Sequence, residues 1–167
     1  MNSSEASEFL EIVRSRIVVH LTAQIKICLN VLNDKQIWWR PNESSNAIGN
    51  LVLHCAGSTR YYIGHVVGNT DYTRKRESEF SERREITAAE LTATLDIAIS
   101  EADKVITNFD PSRLLEQTSR TPKPTTLMNV LALQLAHFST HTGQILFATK
   151  LLQSDAIDDL WRNTPSQ

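Results

Sequence analysis

The 167-residue chain has the length of one domain, and an apolar share of 41% is enough for one core. Seventeen Lys and Arg against 19 Asp and Glu leave a net charge of −2, which excludes any general pull toward nucleic acid or an anionic membrane. The N-terminus lacks the basic start and apolar run of a leader, no uncharged apolar run of about 18 residues follows, and Cys28 and Cys55 are too few for a disulfide framework. A cytoplasmic protein with two reduced core thiols, no membrane partner and no nucleic-acid partner is expected.

Glycine is scarce, and apolar residues recur at helical rather than strand spacing, so the fold class is all-α. The first helix is expected over about 3–32. Asn2 and Glu5 offer a capping box, and Phe9, Val13, Ile17, Leu21, Cys28 and Val31 share one face. Residues 33–45 break that pattern. Pro41 disfavours helix at Arg40, so the segment reads as a connection carrying two indoles, Trp38 and Trp39.

A second helix is expected over about 46–67, with His54 in its middle and Gly68-Asn69 as its stop. From Asp71 to Glu85, five basic and five acidic side chains cancel. That stretch reads either as a solvated loop pinned by Phe80 or as a rim offering Arg side chains to an anionic substrate. Thr87-Ala88-Ala89-Glu90 is a second capping box, and a stripe from Leu91 to Phe109 marks a third helix over about 88–109. Asp110-Pro111 ends it. A fourth helix is expected over about 125–152, apolar nearly all round from Leu127 to Phe138, followed by a short tail in which Trp161 could anchor a fold-back or a partner subunit.

Chemistry enters with the histidines. His137 and His141 are four residues apart, so on a helix their rings leave one face about 5–6 Å apart at Cβ, close enough to ligate one ion. They fall where the fourth helix is most apolar, and two unpaired buried imidazoles would each cost roughly 1–3 kcal/mol of desolvation. A shared metal removes that cost; hydrogen bonds to carbonyls or water are the alternative. A third ligand must come from another element, and His54, mid-helix among Leu51, Leu53 and Cys55, is the natural candidate. Three histidines plus an open position is a catalytic rather than a closed structural arrangement. His65 lies eleven residues on, about 16 Å along a helix axis, and cannot share that ion.

There is no His-Glu-x-x-His, Gly-rich phosphate loop, Gly-x-Ser-x-Gly elbow or Cys-x-x-Cys, so zinc peptidase, phosphate-loop and serine hydrolase chemistries have no support. Asn50, one turn before His54, and Gln144, beside His141, are candidates to orient the ligands from behind.

Three segments, Asn46-Ala47-Ile48-Gly49-Asn50-Leu51-Val52-Leu53-His54, the charged stretch ending Glu79-Phe80-Ser81-Glu82-Arg83, and His137-Phe138-Ser139-Thr140-His141-Thr142-Gly143-Gln144-Ile145, together resemble the DinB/YfiT-like superfamily over nearly the whole chain. The resemblance implies a single four-helix-bundle domain in up-down-down-up order, a divalent metal on His54, His137 and His141, and a homodimer. It also implies a metal-dependent transferase or isomerase that uses bacillithiol, mycothiol or glutathione, although the branch most resembled is uncharacterised.

On this basis the expected activity is transfer of a low-molecular-weight thiol to a small electrophilic substrate. Among the residues themselves, Trp38, Trp39, Tyr61 and Tyr62 are candidates to line the substrate pocket, and Arg40, Arg60 or Arg76 to bind carboxylates of the thiol. A metal-assisted hydrolase and a noncatalytic, metal-stapled binding or stress protein are the alternatives. Zn²⁺ or Ni²⁺ leads Fe²⁺ and Mn²⁺ as the ion, since imidazole suits several metals.

Overall fold

In the computed structural model, which describes residues 2–165, the first long helix, α1, is α-helical over Ser3–Arg14, π-helical over Ser15–Leu21 and α-helical again over Thr22–Val31. Asn2 and Glu5 cap its start reciprocally. Within the wide turn the Thr22 hydroxyl donates to the Ile17 carbonyl at 2.7 Å, so that buried oxygen keeps a partner. A four-residue helix follows, α2 (Asp34–Ile37), with its own capping box between Asn33 and Gln36.

The second long helix, α3, spans Ile48–Thr59 and continues as a π-helical stretch over Arg60–Val67. Asn69, not Gly68, takes the left-handed backbone after it, with φ 58°. Asparagine tolerates that conformation better than most residues. The charged connection contains a short helix, α4 (Arg76–Ser81). Then come α5 (Ala88–Thr107), capped by Thr87 and Glu90, a 3-10 turn over Pro111–Leu115, and α6 (Leu127–Leu152). A last short helix, α7 (Leu160–Asn163), closes the described chain; the Trp161 side chain lies outside the described residues.

All-α describes the fold, with one small exception. β1 (Gln117–Thr118) and β2 (Thr125–Thr126) pair antiparallel, and the Leu127 amide donates to the Glu116 carbonyl beside them at 3.0 Å. This ribbon pins the loop ahead of α6.

The four long helices pack around one core. Helices α1 and α3 each lie against both α5 and α6, so α1 faces α3, and α5 faces α6, only across the diagonals. Helix α3 is buried nearly all round from Ile48 to Thr59, because α4 covers the side that α5 and α6 leave open. That cover is what takes His54 out of water. No helix among the described residues is long and apolar enough to cross a membrane.

Trp38 ties the first connection to this frame. Its indole N–H donates to the Ile86 carbonyl at 2.8 Å, and its ring lies where a Cβ on Gly49 would sit, 2.6 Å from Cζ2. A rigid indole pinned by a hydrogen bond cannot yield as a flexible side chain can. Gly49→Ala should therefore destabilise the protein by about 1–3 kcal/mol through overpacking, read from urea denaturation; a change within about 0.5 kcal/mol, the usual scatter of surface substitutions, would mean that the indole does not hold this contact.

Candidate metal centre

His54 comes from the α-helical part of α3, and His137 and His141 come from successive turns of α6. His54 is buried and the other two are half-buried. Their Nε2 atoms converge: His54 to His137 is 2.9 Å and His141 to His137 is 3.1 Å, and one ligand atom from each residue falls within a 4.8 Å group. Two nitrogens each about 2.0–2.1 Å from one ion stand roughly 2.8–3.4 Å apart at coordination angles of 90–110°. The observed spacing is close to that.

The opposite edges of the rings fix where the protons are. His54 Nδ1 lies 2.8 Å from Glu79 Oε2 and His141 Nδ1 lies 2.7 Å from Gln144 Oε1. A carboxylate and an amide oxygen offer only lone pairs, so both Nδ1 atoms donate, and both Nε2 atoms are left with lone pairs aimed at His137. One proton on His137 Nε2 could serve one of them well, not both. His137 Nδ1 is buried with no partner among the described residues. A cation at the common point would satisfy every converging lone pair at once, so the donor set fits a divalent metal that accepts imidazole.

Behind His54 stands a group that the charged connection hides in sequence. Glu79, on α4, is buried, and Arg74 donates to both of its oxygens, Nε to Oε1 and Nη2 to Oε2, each at 2.7 Å. Most of 71–85 is exposed, as a solvated connection pinned by Phe80 would be, but a paired carboxylate and guanidinium from it sit against a ring of the site. Phe80 packs on His54 with ring centroids 4.5 Å apart, and the Arg76 guanidinium lies over Phe80 at 5.0 Å.

Asn50 is fully buried, but its role differs from the expected one. It makes no hydrogen bond to His54. Its amide donates to the Glu79 carbonyl at 2.9 Å and the Glu82 carbonyl at 3.2 Å, while its oxygen accepts from Arg40 at 2.7 Å. Asn50 thus clamps the backbone that carries Glu79. Gln144 does meet a histidine, through the His141 contact above.

The family model "Protein of unknown function (DUF1572)" matches residues 4–162. The chain belongs to the DUF1572 family. Two solved structures share its fold, both DinB-like proteins. One, from Bacillus cereus ATCC 10987, is 11% identical with a TM-score of 0.65, over 80% of this chain and 86% of that one. The other, YjoA from Bacillus subtilis, is 14% identical with a TM-score of 0.64, over 84% of this chain and 90% of that one. At such identity the likeness concerns the fold, which is DinB-like. No curated protein matches the sequence.

In this DUF1572 chain the other sequence-selected side chains scatter. Trp38 is a core residue, and Trp39 is 41% exposed. Arg40 is turned inward to Asn50. The Tyr61 hydroxyl donates to the Arg120 carbonyl at 3.1 Å and its ring stacks on His65, so neither reaches the three imidazoles. Arg60 pairs with Glu101, and Arg76 approaches the site through Phe80. Tyr62, expected at the pocket, does line a cavity that borders the site, about 610 Å³ and walled also by Pro122, Lys123, Leu133, Gln134 and His137; the other lining residues were not foreseen.

Burial, the neighbouring His141 and His54, and the Arg74 and Arg76 charges push the His137 imidazole down from 6.5 to about 4. Burial also lowers His141, against the Gln144 hydrogen bond that raises it. Burial alone would raise the Glu79 carboxyl, but its bonds to Arg74 and His54 and their charges outweigh that, and it lies below its usual 4.5. Neutral imidazoles beside an ionised carboxylate are what a cation needs.

The sign for stability follows. In the unfolded chain His137 protonates near 6.5 and in the folded, metal-free protein only near 4, so between these values the unfolded state binds more protons and stability falls as pH is lowered. Urea midpoints measured in chelator should drop between pH 7 and pH 4.5, and should drop less in His137→Gln. Equal pH dependence in the two proteins would contradict this assignment.

Proposed function

We propose that the chain acts as a single cytoplasmic domain holding one divalent cation on His54, His137 and His141, and that it is an enzyme transferring a low-molecular-weight thiol to a small electrophile. The observation that carries this reading is the convergence of three Nε2 atoms, two with their Nδ1 protons already donated, beside a cavity that His137 helps to line. A divalent ion such as Zn²⁺ or Ni²⁺ supplies a lowered thiol pKa, which makes the sulfur nucleophilic at neutral pH.

The protein's own groups would do the rest. Tyr62, Pro122 and Leu133 give the cavity an apolar wall for the electrophile, and Lys123 at its edge and Arg76 by Phe80 carry the charge for carboxylates of a bacillithiol, mycothiol or glutathione type of thiol. Phe80 packs against the His54 ring.

The hydrolase alternative loses ground on one observation. Glu79, the carboxylate at the site, is committed to Arg74 and to His54 Nδ1, so it is not free to act as a base toward water. The purely structural alternative requires a closed site, whereas His137 and His141 are only partly buried and His137 lines a cavity.

The test uses protein stripped of metal and reloaded with one equivalent of Zn²⁺ or Ni²⁺. It is assayed with 1-chloro-2,4-dinitrobenzene and each of the three thiols. Metal-dependent conjugate above the uncatalysed rate is expected with at least one thiol. His137→Ala and His141→Ala should lose both stoichiometric metal and turnover, while His65→Ala, hydrogen-bonded to the Thr70 carbonyl away from the site, keeps both. Metal bound without conjugate for any thiol would remove the transferase reading.

A homodimer is proposed as the assembly. Helix α6 turns Leu133, Ala136, Thr140, Gly143, Phe147 and Leu151 outward at spacings of three and four, and Leu133, Phe147 and Leu151 are each 60% exposed or more. A Cβ on Gly143 would meet nothing within 4 Å, which leaves room for close approach of another helix. Light scattering should give the mass of two chains, and Phe147→Glu the mass of one. A monomer in the parent protein would end this proposal.

A further inference from the structure

The segment 71–86 carries charges that cancel, yet two of them are buried against a ring of the metal centre. Resting on the reading of that centre as a cation site, we infer that Glu79 is a positioning residue for the metal: it holds His54 as the Nδ1–H tautomer with Nε2 free to ligate, and Arg74 and Gly57 exist in the fold to place it there. Three independent features of the molecule point to the same carboxylate.

First, the geometry is that of a carboxylate–histidine pair, with Glu79 Oε2 2.8 Å from Nδ1, the ring edge opposite the converging Nε2 atoms. A carboxylate in that position orients a ligand ring and raises its basicity. Second, Arg74 grips both oxygens, which prevents the carboxylate from turning away or leaving for solvent. The Arg74 Nη2 also lies 3.0 Å from His54 Nδ1, a meeting of two N–H groups and not a hydrogen bond; guanidinium and imidazole are joined through Glu79 Oε2, which accepts from both.

Third, α3 makes room for the carboxylate by lacking a side chain. Gly57, one turn beyond His54, faces Glu79, and a Cβ built there would collide with Oε1 and lie 2.8 Å from Cδ. The three atoms nearest to that Cβ all belong to Glu79. The Asn50 amide, bonded to the Glu79 carbonyl, fixes the backbone from the other side. His54, Asn50 and Gly57 are thus three positions of a single helix, all turned toward one glutamate.

The three ligands are held unequally. His54 donates to a charged acceptor, His141 to the neutral Gln144, and His137 Nδ1 to nothing among the described residues. The charged hydrogen bond is the strongest of these supports. Loss of Glu79 should therefore cost more metal affinity than loss of Gln144.

Zn²⁺ affinity of the full chain, measured by competition with a chromophoric chelator, tests this. Glu79→Gln should weaken binding about 10–100-fold, the usual range for such a partner, and Gln144→Ala should weaken it less. Gly57→Ala keeps every polar group but displaces the carboxylate, and should reproduce the loss. Since both act through one contact, the double variant should be no weaker than the worse single variant.

Gly64→Ala is the control for simple crowding. It drives a Cβ into another carboxylate, Glu101, ten residues along α3 and about 15 Å from His54 at 1.5 Å per residue. It should leave Zn²⁺ affinity unchanged. In metal-free protein, ¹H–¹⁵N spectra of the rings should show His54 as one tautomer in the parent and as a mixture in Gly57→Ala, a change that damage elsewhere would not produce.

If Glu79→Gln leaves Arg74 without a charged partner and the protein fails to fold, Gly57→Ala with its spectrum still decides the matter. Parent-like affinity in Glu79→Gln and Gly57→Ala, losses that add, or equal loss in Gly64→Ala would overturn the inference while leaving the metal reading intact. No Zn²⁺ binding by the parent would instead overturn the metal reading, and this inference with it.

Discussion

His54 and His141 each turn an Nε2 lone pair toward the one inner nitrogen of His137, 2.9 and 3.1 Å away, and a single proton there cannot serve both. Each Nδ1 proton given to Glu79 or Gln144 makes that conflict sharper, because it removes the option of a proton on the inner edge of the same ring. Most of the remaining architecture around α3 and α6 can be understood as holding that arrangement in place. Without it, the buried Nε2 of His54 would lack a partner in the most thoroughly buried helix among the described residues.

The cover over His54 follows from the same constraint. A helix in a four-membered packing usually keeps one side wet, yet α3 is closed by α4 on that side. Closing it with polar chain is expensive unless the polar groups satisfy one another. Arg74 and Glu79 do so, and Asn50 accepts from Arg40 while donating to the carbonyls of Glu79 and Glu82. The cost of burying these charges is offset by making them partners of the site, so the cover and the support of His54 are one structure.

Which parts of this were legible in sequence depends on how far each signal reaches. The all-α class and the His137–His141 face are local matters of periodicity, and spacing conveys both. His54 needed either the resemblance or the argument that a mid-helix histidine among apolar neighbours requires a partner. Glu79 was hidden because its burial is tertiary. It sits in a segment whose charges cancel and which therefore resembles solvent-exposed loop, and the clue, Gly57 one turn past His54, gains meaning only once α4 is seen to lie across α3. Asn50 was singled out for its distance from His54 along the helix, but that distance does not say whether the amide turns to the ring or to the strap. The helix α2 had a visible Asn33–Gln36 capping pair, obscured by Pro41 and the indoles that follow, and strands of two residues are too short to show any alternation.

The distribution of support around the three rings also bears on how such a centre could work. The ring with the charged partner, His54, is buried and packed by Phe80, whereas His137, whose Nδ1 has no partner among the described residues, lines the cavity. An ion held here would rest on a rigid ligand behind and a less constrained one in front. Rigidity behind preserves the site when it is empty, because the Glu79–Arg74–Asn50 group is satisfied with or without a cation. His137, at the cavity, has no such brace among the described residues. A centre meant only to staple two helices would gain from bracing all three rings equally, and this protein braces them in descending order toward the open side.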